Sequence, residues 1–322
     1  MNKALSICLL VFVSNTGIAQ IPPTATLTFR AVSDLGEPVL GVEIKLSTFA
    51  RWQPGEGFGK DIFESVSGKT NSSGFVTLSV PSLRGEVRYS AHLIGYYPTE
   101  GDLYSFKRAG SSQWLPANPT QDVVIKPVLN PVPVFARRLS DLRFPLIGQS
   151  IGFDLMKSDW VKPYGNGVVE DFVFVFRSSY KGAESAFNAS LLVRFSNEGD
   201  GIQGVKVPPL GGSTLRLPRF SPEEGYLPQI HLGRERASAK GTVVSDGDES
   251  QNYFFRVRTV KHDGKIVSAL YGKISGNIDF WESGGIRFAY YLNPEPLSRN
   301  MEFDMRRNLI SGLRGHEAIS DP

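Results

Sequence analysis

Apolar and polar residues alternate with period two along most of this chain. In residues 26–31, Leu27, Phe29 and Ala31 fall on one face and Thr28 and Arg30 on the other, the pattern of a half-buried strand. The same alternation places Val42, Ile44 and Leu46 against Glu43, Lys45 and Ser47, and returns at Val76, Leu78 and Val80. Further strands are predicted over 88–93 and 123–125, with turns at Gly36-Glu37-Pro38, at 70–74 and at Gly95-Tyr96-Tyr97-Pro98. Residues 50–68, rich in glycine and carrying Trp52 and Phe58, break the pattern and predict a long loop.

Beyond residue 140 the alternation resumes. Phe187, Ala189, Leu191, Val193 and Phe195 share one face, while Asn188, Ser190, Arg194 and Ser196 share the other. The unbroken apolar run 172–176 predicts a strand covered on both sides. Tyr253, Phe255, Val257 and Thr259 alternate with Phe254, Arg256 and Arg258, and the turn 261–265 leads into 266–274 as a hairpin. Residues 286–292 and 301–306 repeat the period, and one short helix near 305–313 is compatible with the pattern.

Between the halves, residues 126–134 hold Pro127, Pro131 and Pro133, which restrict the backbone to extended conformations. The predicted organisation is all-β, with two β-sandwich domains. The first spans 24–128 and is transthyretin/Ig-like. A Pro-rich linker or edge strand covers 129–140. The second, at 141–322, is a sandwich or jelly-roll-like module.

Composition sharpens this picture. Of 322 residues, 33 are glycine and 21 proline, a share above the usual value of about 12%, with no Gly-X-Y period, so the excess marks turns. Residues 1–19 read as a secretory signal peptide: Lys3, an apolar run from Ala4 to Val13, and small residues before cleavage near Ala19. That run is shorter than a bilayer-spanning helix, and no later segment is long enough, so the mature chain is expected without a transmembrane segment. The single cysteine, Cys8, leaves with the signal, and net charge falls from +3 to +2 with Lys3. Disulfides, thiol catalysis and cysteine-ligated metal are thereby excluded for the mature chain, and so weak a charge argues against nucleic-acid partners. The expected location is extracellular, periplasmic or in the cell envelope. Asn71-Ser72-Ser73 and Asn188-Ala189-Ser190 match the glycosylation sequon, which matters only in a eukaryotic secretory pathway.

Three stretches carry a family resemblance: 36–44 (GEPVLGVEI), 69–76 (KTNSSGFV) and 91–96 (AHLIGY). Together they resemble the carboxypeptidase regulatory-like domain. The resemblance covers about a third of the chain and implies a transthyretin-like sandwich serving as scaffold or adaptor, with no peptidase activity. The insertion at 50–68 departs from that family's compact pattern. Phrases in the second half, such as Asp159-Trp160-Val161-Lys162-Pro163-Tyr164-Gly165 and Tyr290-Tyr291-Leu292-Asn293-Pro294, resemble uncharacterised secreted bacterial proteins and imply no named activity.

Two kinds of chemistry compete. Asp154, Asp159, Glu170 and Asp171 cluster in sequence, and a pair of them could serve a carbohydrate-active hydrolase or lyase as acid and base; they equally suit turn capping. Trp160, Tyr164, Trp281, Tyr290 and Tyr291 could present flat apolar faces to a sugar, and Arg256 and Arg258 could line a groove for an acidic partner; both sets also suit core packing and solvated strand positions. The four histidines are far apart, and the acidic turns 197–201 and 245–249 lack the spacing of a calcium loop, so neither a metal nor another cofactor is expected. The reading that follows is a secreted, non-enzymatic binding or structural protein, with a polysaccharide or an envelope or surface protein as partner.

Overall fold

The computed structural model describes residues 22–55, 59–101, 104–110, 113–208 and 211–322. The expected signal segment and its cleavage near Ala19 lie outside the described residues, as does Phe58. Strands carry the architecture, and no helix occurs among the described residues.

Two sheets enclose the first core. One runs in the order Phe75–Pro81, Thr24–Ser33, Thr120–Pro127, Tyr96–Tyr97. The other runs Gly212–Ser213, Thr99–Glu100, Glu86–His92, Glu43–Gln53, Lys60–Lys69. The inward residues of the alternating strands meet between them: Leu27, Phe29, Ile44, Leu46, Leu78 and Val123 are all buried there. Each large side chain so buried contributes about 1.5–3 kcal/mol, which is what fixes the register.

The loop expected at 50–68 is instead a hairpin. Glu43–Gln53 pairs antiparallel with Lys60–Lys69, Phe49 opposite Phe63 and Trp52 opposite Asp61. The second of these strands is the rim of its sheet, and Trp52 and Phe63 are exposed, so no buried face imposes the alternation that would have revealed it.

The second core is larger and aromatic. One sheet runs Gly201–Lys206, Gln251–His262, Lys265–Phe280, Gly285–Leu292, Val132–Arg143, Phe303–Asn308; the other runs Asp159–Trp160, Ser150–Asp154, Phe172–Ser178, Phe187–Arg194, Gln229–Arg236, Val244–Ser245. Phe153, Phe172, Phe174, Phe255 and Phe288 meet between them, mostly edge to face; Phe172 and Phe255 lie 5.0 Å apart.

The stretch expected as a linker or edge strand at 129–140 is largely an interior strand. Val132–Arg143 pairs antiparallel with Gly285–Leu292 on one side and parallel with Phe303–Asn308 on the other. The second ladder slips between Val132 and Val134, at Pro133, which has no N–H to give. Where a short helix was compatible with the pattern, Phe303–Asn308 is extended and turns follow.

A buried polar network joins the two cores. The Glu302 side chain has no solvent exposure and pairs with Arg219. It also accepts hydrogen bonds from Tyr97 Oη at 2.9 Å, Leu129 N at 2.9 Å and Asn130 N at 3.0 Å. Lys126 Nζ reaches the Leu215 carbonyl at 2.7 Å, so the segment after residue 211 is held against the first sandwich.

Candidate functional site

The clustered carboxylates are bound into the fold. Asp154 Oδ1 accepts from Met156 N and Lys157 N, and Oδ2 accepts from Val168 N and Val169 N, all at 3.0–3.1 Å. Asp171 is 1% exposed and receives Arg258 Nε at 2.8 Å, Arg258 Nη2 at 2.9 Å and Leu155 N at 2.9 Å. The same Nη2 donates to Asp154 at 3.2 Å. Burial pushes the Asp171 carboxyl above the usual carboxylate range, and Arg258 offsets only part of that. Burial also pushes Asp154 upward, but the N–H groups of Val168, Lys157 and Val169 and the Arg258 charge outweigh it and hold this carboxyl low. Asp159 closes the next loop, accepting from Trp160 N at 2.8 Å and from Asn166 N at 2.8 Å, whereas Glu170 is exposed. Two of the four candidates therefore share one arginine and a third caps a loop.

Arg258 does not face outward as the alternation predicted. The Gln251–His262 strand slips register between Val257 and Val260, and Arg258 adopts φ 55°. Its own N–H donates to Asp200 Oδ2 at 2.9 Å, beside Thr259 N on Oδ1 at 2.8 Å. That bulge swings the guanidinium across to the opposite sheet, where both carboxylates sit. Arg256 lies 4.7 Å over the Tyr226 ring and donates to the Gly199 and Glu223 carbonyls, so it too is engaged.

Most of the candidate aromatics are core. Trp160 is 4% exposed and packs edge-on against Phe153 at 5.3 Å and Phe174 at 5.7 Å. Tyr290 is buried and donates to the Leu155 carbonyl at 2.6 Å; Tyr291 is buried beneath Lys273 Nζ, 4.5 Å from its ring centre. These rings offer no face to a ligand. Tyr164 is 43% exposed on its loop. It does not line the cavity that Trp281 borders.

Trp281 is the exception. It is half-buried at the turn that joins Lys265–Phe280 to Gly285–Leu292, and its main-chain N–H donates to Gly285 O at 2.9 Å. It borders a cavity of about 210 Å³ with Asn277, Asp279, Arg234 and Arg287. A second cavity of about 210 Å³, lined by Asn188, Ser190 and Asp246 among others, shares Gly233, Arg234 and Ser245 with the first. Trp281 thus stands at the edge of a polar cavity. A bulge makes it: the Lys265–Phe280 ladder slips between Ser275 and Asp279, and Gly276 takes φ 84°, a conformation closed to most side chains. Asn277 and Asp279 are thereby set facing the Gln229–Arg236 and Val244–Ser245 strands.

Inside the cavity, Arg287 lies 5.5 Å from the Trp281 ring centre and pairs with Asp279 at 2.7 Å, while Arg234 pairs with Glu282 at 2.9 Å. The indole edge is thus framed by fixed donors and acceptors. Asn277, Asp279, Arg234 and Arg287 were not singled out from the sequence. Asn188 and Ser190 had a signal, since both lie on the polar face of the 187–195 alternation. The acidic turns hold no metal cluster: Asp246 accepts Gly233 N, Asp248 binds Ser250 and Lys206, and no group of three or more ligating side chains occurs among the described residues.

No family model matches the sequence, and no curated protein matches it. Among solved structures, 3-chlorocatechol 1,2-dioxygenase from Rhodococcus opacus 1CP is 9% identical with a TM-score of 0.25, over 34% of this chain and 62% of that one. Shaft pilin SpaA from Lactobacillus rhamnosus GG is 12% identical with a TM-score of 0.20, over 77% of this chain and 92% of that one. A putative membrane-associated protein of unknown function from Bacteroides fragilis NCTC 9343 is 8% identical with a TM-score of 0.20, over 84% and 96%. Likenesses of this strength carry no argument about activity.

Proposed function

We propose that this chain is an exported, non-enzymatic β protein that works by recognition, and that the cavity at Trp281 contacts a polysaccharide. The observation that supports it best is the contrast between the two sets of candidate residues. Asp154 and Asp171 are tied to Arg258, which takes two of the four carboxylates away from the hydrolase or lyase alternative. Trp281 stands beside the polar side chains of Asn277, Asp279, Arg234 and Arg287 in an open cavity. A sugar ring needs this combination: a flat apolar face to stack on and a polar rim for its hydroxyls.

Export rests on the signal-peptide pattern of residues 1–19. No helix among the described residues is long and apolar enough to cross a membrane. The first sandwich serves in this reading as a carboxypeptidase regulatory-like scaffold. Gly36, Gly74 and Gly95, the turn glycines of the resembling stretches, all take φ of 81–84°.

A glycan array of purified wild-type protein and Trp281→Ala tests the proposal. Retention of a subset of polysaccharides, weakened about tenfold or more in the variant, is the expected result, equivalent to about 1.4 kcal/mol. Trp52→Ala, at the exposed tryptophan of the rim hairpin, should leave binding unchanged. Absence of any glycan binding, or equal binding by Trp281→Ala, refutes it.

A further inference from the structure

The two cations that line the Trp281 cavity each have a carboxylate already. Arg287 Nη2 meets Asp279 Oδ2 at 2.7 Å, and its Nε donates to the same oxygen at 3.3 Å. Arg234 Nε meets Glu282 Oε2 at 2.9 Å. The guanidiniums are matched charge for charge, and neither needs an anion from outside. Asp246 accepts the N–H of Gly233, which borders the same space, and adds a further negative charge. The local charge is therefore neutral to negative, which disfavours an acidic ligand.

The polar groups left without partners are uncharged. The Asn277 amide, the Trp281 indole N–H and the Ser245 hydroxyl all belong to residues lining the cavity, and they make no hydrogen bond among the described residues. Asn277 and Trp281 are half-buried and Ser245 is exposed, so none of the three residues is sealed in the core. An amide and a hydroxyl each donate and accept, and an indole N–H donates. Sugar hydroxyls also donate and accept, so they match the whole set. A carboxylate or sulfate only accepts, and it would meet the acids Asp279, Glu282 and Asp246 as well.

The indole is seated by the neighbouring strand. Gly285 and Arg287 lie two apart on Gly285–Leu292 and so face the same way. A Cβ on Gly285 would come within 2.8 Å of the indole Cε3, and the Arg287 guanidinium lies 5.5 Å from the ring centre. The ion pair that neutralises Arg287 thus stands directly beside the stacking surface.

Resting on the reading of this cavity as a polysaccharide site, we infer that its ligand is an uncharged hexose polymer, and that Asp279, by holding Arg287, is the residue that turns acidic polymers away.

Calorimetric titration of the full chain with dextran, galactomannan and laminarin as uncharged polymers, and with polygalacturonate, alginate and hyaluronate as acidic ones, tests the inference. The tightest uncharged polymer should bind at least tenfold more tightly than any acidic one, and Trp281→Ala should weaken it tenfold or more. Asp279→Asn frees Arg287 and should tighten the acidic polymers at least threefold over wild type. The pair is solvent-exposed, so its loss should leave the melting temperature within a few degrees of wild type. An acidic polymer that binds as tightly as any uncharged one, and loses that affinity in Trp281→Ala, overturns the inference while leaving polysaccharide recognition intact. So does Asp279→Asn with no gain toward the acidic polymers. Binding to neither class, or binding undiminished in Trp281→Ala, overturns the underlying reading as well.

Discussion

Replacing Arg258 by alanine removes three hydrogen bonds to buried carboxylates, at 2.8 and 2.9 Å to Asp171 and 3.2 Å to Asp154. Asp154 keeps its four main-chain donors, but Asp171 keeps only Leu155 N. Leaving one side of a buried ion pair alone costs about 3–5 kcal/mol, and that is the loss expected at neutral pH. The backbone adds a second handle. At φ 55° both arginine and alanine sit in the left-handed region, which costs an L-residue about 1–2 kcal/mol; glycine escapes it. Arg258→Gly should therefore be about 1 kcal/mol less destabilised than Arg258→Ala, despite removing more atoms.

The pH dependence follows from Asp171. Its folded pKa lies above the unfolded value because of burial, and removing Arg258 raises it further. A raised acid destabilises the fold at high pH, and the deficit shrinks as pH falls through the folded pKa toward the unfolded value of about 3.9. Urea unfolding followed by tryptophan emission at pH 7 and pH 5 measures both effects, since Trp160 lies in the same core. A loss below about 1 kcal/mol for Arg258→Ala, or a glycine variant less stable than the alanine one, would refute the clamp.

Three further outcomes follow from buried groups. Glu302→Ala strands Arg219, Tyr97 and two main-chain N–H groups, and should cost about 3–5 kcal/mol, a melting-temperature drop on the order of 10 °C by scanning calorimetry. Trp160→Ala should cost about 3–5 kcal/mol in urea unfolding, as a core truncation, while leaving glycan binding of the folded fraction intact. Burial, with Lys126 nearby, pulls the Lys273 ammonium down to about 7, although its Nζ donates to the Met301 and Pro322 main-chain oxygens. The folded state then holds fewer protons than the unfolded one between about 7 and 10.5, so stability rises with pH across that window. Denaturation of wild type and Lys273→Met from pH 6 to 10 should show wild type gaining on the variant as pH rises.

Strands were legible wherever one face is buried and the other wet. Thr24–Ser33, Phe75–Pro81 and Phe187–Arg194 show buried residues at every second position, as the alternation predicted. Lys60–Lys69 was illegible because a rim strand has little to bury. Val132–Arg143 was obscured by Pro131 and Pro133, whose missing donors fall outside the strand and at a slip in its ladder. Parity misplaced Arg258, since a bulge of one residue exchanges inside for outside and leaves no mark in composition. The aromatics failed as site markers for a related reason. Trp160, Tyr290 and Tyr291 carry the same side-chain types whether they stack on a sugar or fill a core, and only the neighbouring Phe153, Phe174 and Lys273 decide between the two. Trp281 was recognisable as a residue but its cavity was not, because Arg234, Ser245, Asn277 and Arg287 come from four separate strands.

The proposed function stands or falls with recognition through the cavity at Trp281. Titration calorimetry of wild type, Trp281→Ala and Asn277→Ala against the polysaccharide best retained on the array tests it most directly. Affinity should fall about tenfold or more with the tryptophan change and measurably with the asparagine change, with melting temperatures within a few degrees of wild type. Undiminished affinity in both variants would contradict it.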